Sequence, residues 1–150
     1  MTELDHATIL WAERCLRRVP MRYLSGVDRR DWALVRSCFA DDAFVAGSRS
    51  TAPLDEYLPP LIRGVEFYPV TMHFAGTQTV EVADDGRSGH VDTYAIAFHW
   101  RGAQPGEEHP ENLVLAVRYH DDIAETDGEW RITHRAVTPD WKRGPFQPLA

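Results

Sequence analysis

Apolar residues follow two spacings along the chain, and the change falls after about Leu61. Before that point they recur every three or four residues, as in Ile9–Leu16, Met21–Leu24 and Trp32–Cys38, which is the spacing of amphipathic helices. From Val70 onward they belong to β-branched and aromatic runs separated by turn residues, which is typical of strands. The pattern therefore predicts a helical first part followed by a sheet.

Prolines set the expected helix boundaries. Pro20 predicts a kink or a restart in the first helix, because proline lacks an amide hydrogen and its ring clashes with the preceding turn. Pro53 suits the first turn of a third, short helix, and Asp55 and Glu56 favour the positive end of its dipole. We expect Pro59–Pro60 to end that helix early.

Four extended segments follow the helices. They are Val70–Val82, His90–Arg101, Asn112–Ala124 and Trp130–Val137. Short loops between consecutive strands predict an antiparallel meander, because parallel pairing needs crossovers of a dozen or more residues. Helices followed by strands predict an α+β fold with the helices on one face of the sheet. No repeat or linker interrupts residues 1–150, so we expect a single domain.

The second extended segment alternates between small and bulky side chains. The small row is Thr93, Ala95, Ala97 and His99. The bulky row is Tyr94, Ile96, Phe98 and Trp100. Because successive strand residues point to opposite faces, the small row predicts a cavity wall, or a surface that a helix approaches closely. The bulky row predicts packing on helices or a subunit interface, and we expect a homo-oligomer, either a dimer or a trimer.

Composition excludes several classes of protein. A net charge of −7 and a pI of 5.4 argue against nucleic-acid binding, which needs a clustered basic surface. No apolar run approaches the roughly 20 residues of a membrane span, and the N-terminus lacks the blocks of a signal peptide, so a cytoplasmic location is expected. Cys15 and Cys38 each lie in an amphipathic segment and are expected to be buried free thiols.

Candidate acid/base residues come from both halves of the chain. His73 and His99 fall inside predicted strands, where an imidazole is either buried with partners or faces a pocket. Asp28 stands just before the helix expected around Arg30–Cys38 and serves either as its N-cap or as a site carboxylate; Asp31 keeps the N-cap role. Four other histidines are expected at the surface: His6, His90, His109 and His120. His134, in the last strand, is intermediate between the two groups.

The sequence contains no spaced motif for metal binding, nucleotide binding or nucleophilic catalysis. No two histidines show the four-residue helical spacing of a metal site, and no glycine-rich nucleotide loop is present, so we expect neither a metal nor a cofactor. Ser25, Ser48 and Ser50 lack the strand–turn–helix context of a nucleophile. Proton transfer without a cofactor is what these residues favour.

Several short motifs resemble the nuclear transport factor two-like superfamily, and within it SnoaL-like enzymes, scytalone dehydratase and bile-acid dehydratases. The motifs are Arg22-Tyr23, Asp28–Trp32, Cys38–Ala43, Thr71–Phe74, Tyr94 with His99, Arg118–Asp121 and Gly128–Ile132. The resemblance covers essentially the whole chain. It implies a cone-shaped fold in which a strongly curved antiparallel sheet wraps on three N-terminal helices around a pocket.

The resemblance also implies roles for four residues. Asp28 matches the pocket aspartate, His73 the first strand histidine and His99 the second histidine of the scytalone dehydratase pattern, while Tyr23 matches the pocket tyrosine of the bile-acid dehydratases. His73, or His99 in its place, is expected to act as the base, with Tyr23 and His99 as hydrogen-bond donors.

The implied function is that of a dehydratase acting on a small, largely apolar, oxygenated substrate of polyketide, aromatic or steroid type. Isomerases, polyketide cyclases and epoxide hydrolases use the same layout of acid and base. A small-ligand binding protein, or a non-catalytic subunit like those of ring-hydroxylating dioxygenases, is the alternative outside enzymes. The tail Pro139–Phe146 is expected beyond the last strand, capping the pocket mouth, reaching a neighbouring subunit or disordered after Gly144.

Overall fold

The computed structural model describes residues 4–146, which form three helices and six strands. The helices are α1 (His6–Arg29), α2 (Trp32–Ser37) and α3 (Leu54–Glu66). The strands are β1 (Phe39–Ala46), β2 (Thr51–Pro53), β3 (Val70–Val82), β4 (Ser88–Trp100), β5 (Leu113–Thr126) and β6 (Glu129–Arg143). Within this described part, no helix is both long and apolar enough to cross a membrane.

All six strands form one curved, unclosed sheet with the order β2-β1-β6-β5-β4-β3. Strands β3 to β6 form the predicted antiparallel meander, while β1 pairs parallel with β6. The helices pack inside the curve, so the α+β cone expected from the sequence is confirmed, while the parallel β1–β6 pair makes the sheet mixed rather than wholly antiparallel. The main core lies between α1 and the inner face of the sheet, around Leu16, Val27, Val91 and Ile132.

Helix α1 carries the acidic candidate in its last turn. The helix does not restart at Pro20, contrary to expectation, because buried residues on both sides of the proline, Val19 and Leu24, hold one continuous face against the core. The helix ends at Arg29, and Arg30 adopts a left-handed conformation with φ 55°. Asp28 therefore belongs to α1 rather than standing in front of the next helix.

Helix α2 begins where Asp31 caps it, as predicted, since the Asp31 carboxylate accepts a hydrogen bond of 3.0 Å from the Leu34 amide. The short helix packs closely against α1 at Gly26. A Cβ atom on Gly26 would lie 2.9 Å from Cγ2 of Val35. This glycine lets the end of α1, with Asp28, lie directly beside the next helix.

Helix α3 runs through Pro59 and Pro60, so the prediction of an early end was wrong. The two missing amides leave the carbonyls of Asp55 and Glu56 without helical partners, but both residues are exposed and water can bind there. The buried face of the helix, with Leu58 before and Val65 after the prolines, outweighs that loss.

Strands β1 and β2 lie in the part of the chain that was expected to be helical. Asp41 and Asp42 interrupt the apolar alternation of β1, which hides the strand in the sequence. Strand β6 continues through Pro139 to Arg143 and pairs with β5, so most of the predicted tail is strand.

The alternation of β4 separates the two faces of the sheet as expected. Ala97 and His99 face the interior cavity, whereas Tyr94 is 44% exposed on the outer face. The bulky row therefore does not pack on helices, and a role in a subunit interface stays a prediction.

Candidate active site

A cavity of about 140 Å³ lies inside the cone between α1, α3 and the inner face of the sheet. Its apolar walls are Val27, Leu61, Val65, Ala97, Leu113, Leu115, Val117, Val137 and Phe146. Its polar ring systems are Tyr23, Tyr57, Tyr68, Tyr119, His73 and His99. A mainly apolar chamber with a few convergent polar groups is typical of a small-molecule site.

Asp28 and His73 form the closest acid–base contact at this cavity. Asp28 Oδ1 lies 2.7 Å from Nδ1 of His73, and Asp28 Oδ2 accepts a hydrogen bond of 2.7 Å from the His73 backbone amide. The His73 side chain is only 6% exposed. The end of α1 and the beginning of β3 are thus joined at the residues where the sequence suggested an acid and a base.

Two further residues hold the Asp28 carboxylate in place. The Thr71 hydroxyl donates a hydrogen bond of 3.0 Å to Asp28 Oδ1. The Arg30 guanidinium donates in turn to Thr71 Oγ1, to the Asp28 carbonyl and to the Tyr68 carbonyl, at 2.7–2.9 Å. Arg30 therefore clamps α1 to the segment that leads into β3.

The hydrogen bonds determine which nitrogen of His73 carries a proton. Burial disfavours the charged carboxylate of Asp28, but hydrogen bonds from the His73 side chain and the attraction of its ring outweigh burial, and the pKa of Asp28 lies below its usual value. An ionised carboxylate only accepts hydrogen bonds, so Nδ1 of His73 is the donor. When the ring is neutral, the lone pair is therefore on Nε2.

His99 lies beside His73, with ring centroids 5.9 Å apart, but its surroundings differ. Burial, and then repulsion from His73, lowers the pKa of His99 to about 4, so the ring is neutral at pH 7. Its Nδ1 lies 3.3 Å from the Leu113 carbonyl, which can only accept. With Nδ1 donating to this carbonyl, Nε2 of His99 is an acceptor, and the donor role expected from the sequence would require the other neutral tautomer.

Tyr23 lines the cavity one and a half turns of α1 before Asp28. The side chain is buried, and burial raises the pKa of the phenol, so that it stays protonated and can donate a hydrogen bond. Tyr57 and Tyr119, which the sequence did not single out, line the same wall, and burial raises the pKa of each phenol as well.

A buried ion pair supports this tyrosine wall. The Arg135 guanidinium makes two hydrogen bonds to the Asp121 carboxylate, at 2.6 and 2.8 Å, and both side chains are fully buried. The guanidinium also lies 4.0 Å from the ring centroid of Tyr23 and 4.7 Å from that of Tyr119. The cation fixes the two rings in place from behind.

The end of the described chain reaches the cavity. Phe146 lines it, and the guanidinium carbon of Arg49 lies 5.1 Å from the centre of the Phe146 ring. The expectation that the tail caps the pocket mouth fits this contact for Phe146, while residues 147–150 lie outside the described part.

Of the four residues named from the sequence, Tyr23, His73 and His99 line the cavity, and Asp28 is joined to it through His73. The residues that hold them were missed. Thr71 points inward because of the same period-two alternation that places His73 at the cavity, so strand periodicity contained a signal. The sequence contained no comparable signal for Arg30 and Arg135, because nothing in the spacing distinguishes a buried arginine from a surface one.

An α+β cone whose curved sheet encloses such a chamber defines the nuclear transport factor two-like class. Within that class, the chain belongs to the SnoaL-like family, whose domain model matches residues 8–136. No curated protein sequence matches the chain significantly.

Solved structures agree on the fold. A candidate scytalone dehydratase from Novosphingobium aromaticivorans is 18% identical, with a TM-score of 0.81 over 97% of this chain and 95% of that one. The hexachlorocyclohexane dehydrochlorinase LinA type 2 is 17% identical, with a TM-score of 0.76 over 93% and 92%. A protein with a cystatin-like fold from Nostoc punctiforme is 14% identical, with a TM-score of 0.69 over 93% and 96%. At these identities the likeness establishes the fold.

Proposed function

We propose that this protein is a cofactor-independent acid/base enzyme that eliminates water from a small, largely apolar, oxygenated molecule. The Asp28–His73 pair is the observation that carries the proposal. An imidazole with one nitrogen held by an ionised carboxylate and the other on an apolar cavity is suited to removing a proton near neutral pH.

The cavity limits the size of the substrate. A volume near 140 Å³ resembles the roughly 150 Å³ apolar cavity that holds a benzene molecule. This favours a buried substrate portion of one ring, and it disfavours complete enclosure of a steroid-sized molecule.

In the proposed reaction, His73 Nε2 takes a proton from the carbon next to a carbonyl. Asp28 stabilises the imidazolium that forms, as a carboxylate does behind a histidine base. The electrons of the broken C–H bond form a carbon–carbon double bond as the C–O bond to the β-hydroxyl breaks. The imidazolium gives its proton to the departing hydroxyl, so that water leaves and His73 is restored.

Tyr23 and His99 bind the two oxygens of the substrate in this scheme. The protonated phenol of Tyr23 donates to the carbonyl oxygen, where negative charge develops. His99 Nε2 accepts a hydrogen bond from a substrate hydroxyl and leaves base catalysis to His73, because a ring with a pKa of about 4 is a weak base at pH 7.

The relatives favour elimination over the other reactions of this layout. The names of two structural neighbours, a dehydratase and a dehydrochlorinase, both denote the removal of a small molecule across a carbon–carbon bond. Isomerisation and cyclisation are the alternatives, and analysis of the products distinguishes them.

The test uses a panel of single-ring β-hydroxyketones, with formation of the conjugated enone followed by absorbance and products identified by mass. We expect His73→Ala and Asp28→Asn to lower kcat by about 10²–10⁴-fold, because each removes part of the base. Tyr23→Phe is expected to cost about 10²-fold through loss of one donor to the developing charge.

His109→Ala is the matched control, since this histidine lies in the loop between β4 and β5 outside the cavity lining. Thermal melting of each variant checks that the fold is kept. Turnover of a panel member by His73→Ala at the parent rate would refute the proposed base.

A further inference from the structure

A second group of histidines and carboxylates lies on the outer face of the sheet, across β4, β5 and β6. His90, Asp122 and His134 are direct neighbours across the three strands, and Asp92 and His120 form the adjacent row on β4 and β5. These side chains belong to the face opposite the cavity, and the proposed reaction uses none of them.

Three side chains of this group converge on one point. Asp92 Oδ1 lies 3.0 Å from Nε2 of His90 and 2.6 Å from Nδ1 of His120, and one donor atom from each residue lies within 4.8 Å of the others. Ligand atoms about 2.0–2.2 Å from a tetrahedral zinc ion are about 3.3 Å from one another. The three donors are therefore close to the separation that one ion imposes.

The second nitrogen of each imidazole is already engaged. Nδ1 of His90 lies 2.8 Å from Asp122 Oδ1, and Nε2 of His120 lies 3.2 Å from the Thr138 hydroxyl. Histidine ligands of metals nearly always make such an outer bond, which fixes the ring and the tautomer. With these outer bonds in place, the other two nitrogens, Nε2 of His90 and Nδ1 of His120, face Asp92.

We propose that His90, Asp92 and His120 bind one divalent transition-metal ion of the zinc type, with Asp122 and Thr138 as outer partners. Two imidazoles and one carboxylate suit this class of ion. All three ligands are half-buried at the surface, so further positions are open to water. The ion would join β4 to β5 on the outer face. The expectation of no metal rested on the absence of helically spaced histidines and of partnered cysteines, whereas these ligands lie on neighbouring strands.

The surroundings provide charges of both signs. Glu81 on β3 is the direct cross-strand neighbour of His90, and its carboxylate adds to the attraction for a cation. Arg118 lies on β5 two residues before His120, and it is held by an ion pair of 2.9 Å with Asp140. Together, Asp92, Asp122 and Glu81 carry more negative charge than the Arg118 guanidinium carries positive charge.

The test is calorimetric titration of untagged, chelator-treated protein with zinc chloride at pH 8, because zinc binds deprotonated imidazole and protons compete with the ion at lower pH. We expect one zinc per chain and a rise in Tm. His90→Ala, His120→Ala and the isosteric Asp92→Asn should each weaken binding at least tenfold, and Asp122→Asn should weaken it about tenfold through the outer bond. Asp92→Asn should also lose the zinc-dependent rise in Tm while its metal-free melting shows that it folds.

Two controls assign the ion to this group. His134→Ala removes another imidazole from the same face, and His73→Ala removes one of the two imidazoles that line the cavity. Both variants should bind zinc as the parent does. Absence of saturable one-to-one binding, unchanged affinity in a His90→Ala/His120→Ala double variant, or loss of binding in either control would overturn the proposal.

Discussion

At the scale of single residues, His73 and His99 differ in the hydrogen-bond partner of Nδ1. For His73 it is the Asp28 carboxylate at 2.7 Å, and for His99 it is the Leu113 carbonyl at 3.3 Å. A carboxylate stabilises a protonated ring, whereas a buried carbonyl does so much less. The sequence offered both histidines as bases, because both lie in strands that face one cavity, and only their partners separate them.

The lowered pKa of His99 predicts a pH dependence of stability. The unfolded chain takes up a proton at His99 near the ordinary value of 6.5, while the folded chain resists protonation until about pH 4. The unfolded state therefore binds more protons between these values, and the free energy of unfolding falls as pH drops from 6.5 to 4. The His99→Gln variant should lose up to about 3 kcal/mol less stability than the parent over this range. Urea unfolding at a series of pH values measures this difference.

His6→Gln is the control for this measurement, because His6 is exposed in the first turn of α1. In this variant, the free energy of unfolding should fall between pH 6.5 and 4 as steeply as it does in the parent. A curve for His99→Gln that falls as steeply as the parent curve between pH 6.5 and 4 would contradict the buried, neutral state of His99.

At the scale of elements, the contact of α1 with α2 positions Asp28. In Gly26→Ala the new methyl group would lie 2.9 Å from Val35 Cγ2 and 3.3 Å from the Val35 backbone nitrogen. The helices must separate, and the cost of about 1–3 kcal/mol exceeds the gain of up to about 1 kcal/mol from better helix propensity. We expect a lower urea midpoint for Gly26→Ala.

Gly64→Ala on α3 is the matched substitution, since a Cβ atom at Gly64 meets nothing within 4 Å among the described residues. It should raise the free energy of unfolding by about 0.5–1 kcal/mol through helix propensity alone, and the urea midpoint should rise with it. Equal effects of the two substitutions would mean that the α1–α2 contact does not limit stability.

The elements with a regular pattern were predictable, and those that depend on distant partners were not. Strand β3 begins and ends where the alternation placed it, at Val70 and Val82. Strand β1 was missed because its register depends on parallel pairing with β6, which local sequence does not encode. The end of β6 was also missed, because Pro139 cannot donate a ladder hydrogen bond and so indicated the end of a strand.

At the scale of the whole molecule, the buried pair of Arg135 and Asp121 joins β5 and β6 behind the tyrosine wall. Asp121→Asn leaves the buried guanidinium without a counter-charge, which should lower the free energy of unfolding by about 3–5 kcal/mol. The double variant Asp121→Leu/Arg135→Met removes both charges and should recover much of that loss. Chemical denaturation of the parent and both variants checks this.

A double variant that is less stable than Asp121→Asn would contradict this account, and would mean that the charges themselves stabilise the core. Tyr119→Phe is the control, because it keeps both charges and the ring that faces the guanidinium. It should change the free energy of unfolding far less than Asp121→Asn does.

The proposed site is a property of the whole fold, since Asp28 comes from a helix and His73 from a strand 45 residues later. Resemblance to a known family supplied both residues, while periodicity alone left Asp28 as a possible helix cap. Neither periodicity nor resemblance predicted the bond from Thr71 to the carboxylate or the bond from Arg30 to Thr71, because both depend on how the end of α1 meets β3.

The tautomer of His73 is the most direct test of the central claim, and it needs no substrate. Nitrogen-15 NMR of the imidazoles, at a pH where the ring is neutral, reports which nitrogen carries the proton. We predict protonated Nδ1 and unprotonated Nε2 in the parent, and loss of that preference in Asp28→Asn. A proton on Nε2 in the parent would contradict the account, because His73 could not then act as a base toward the cavity.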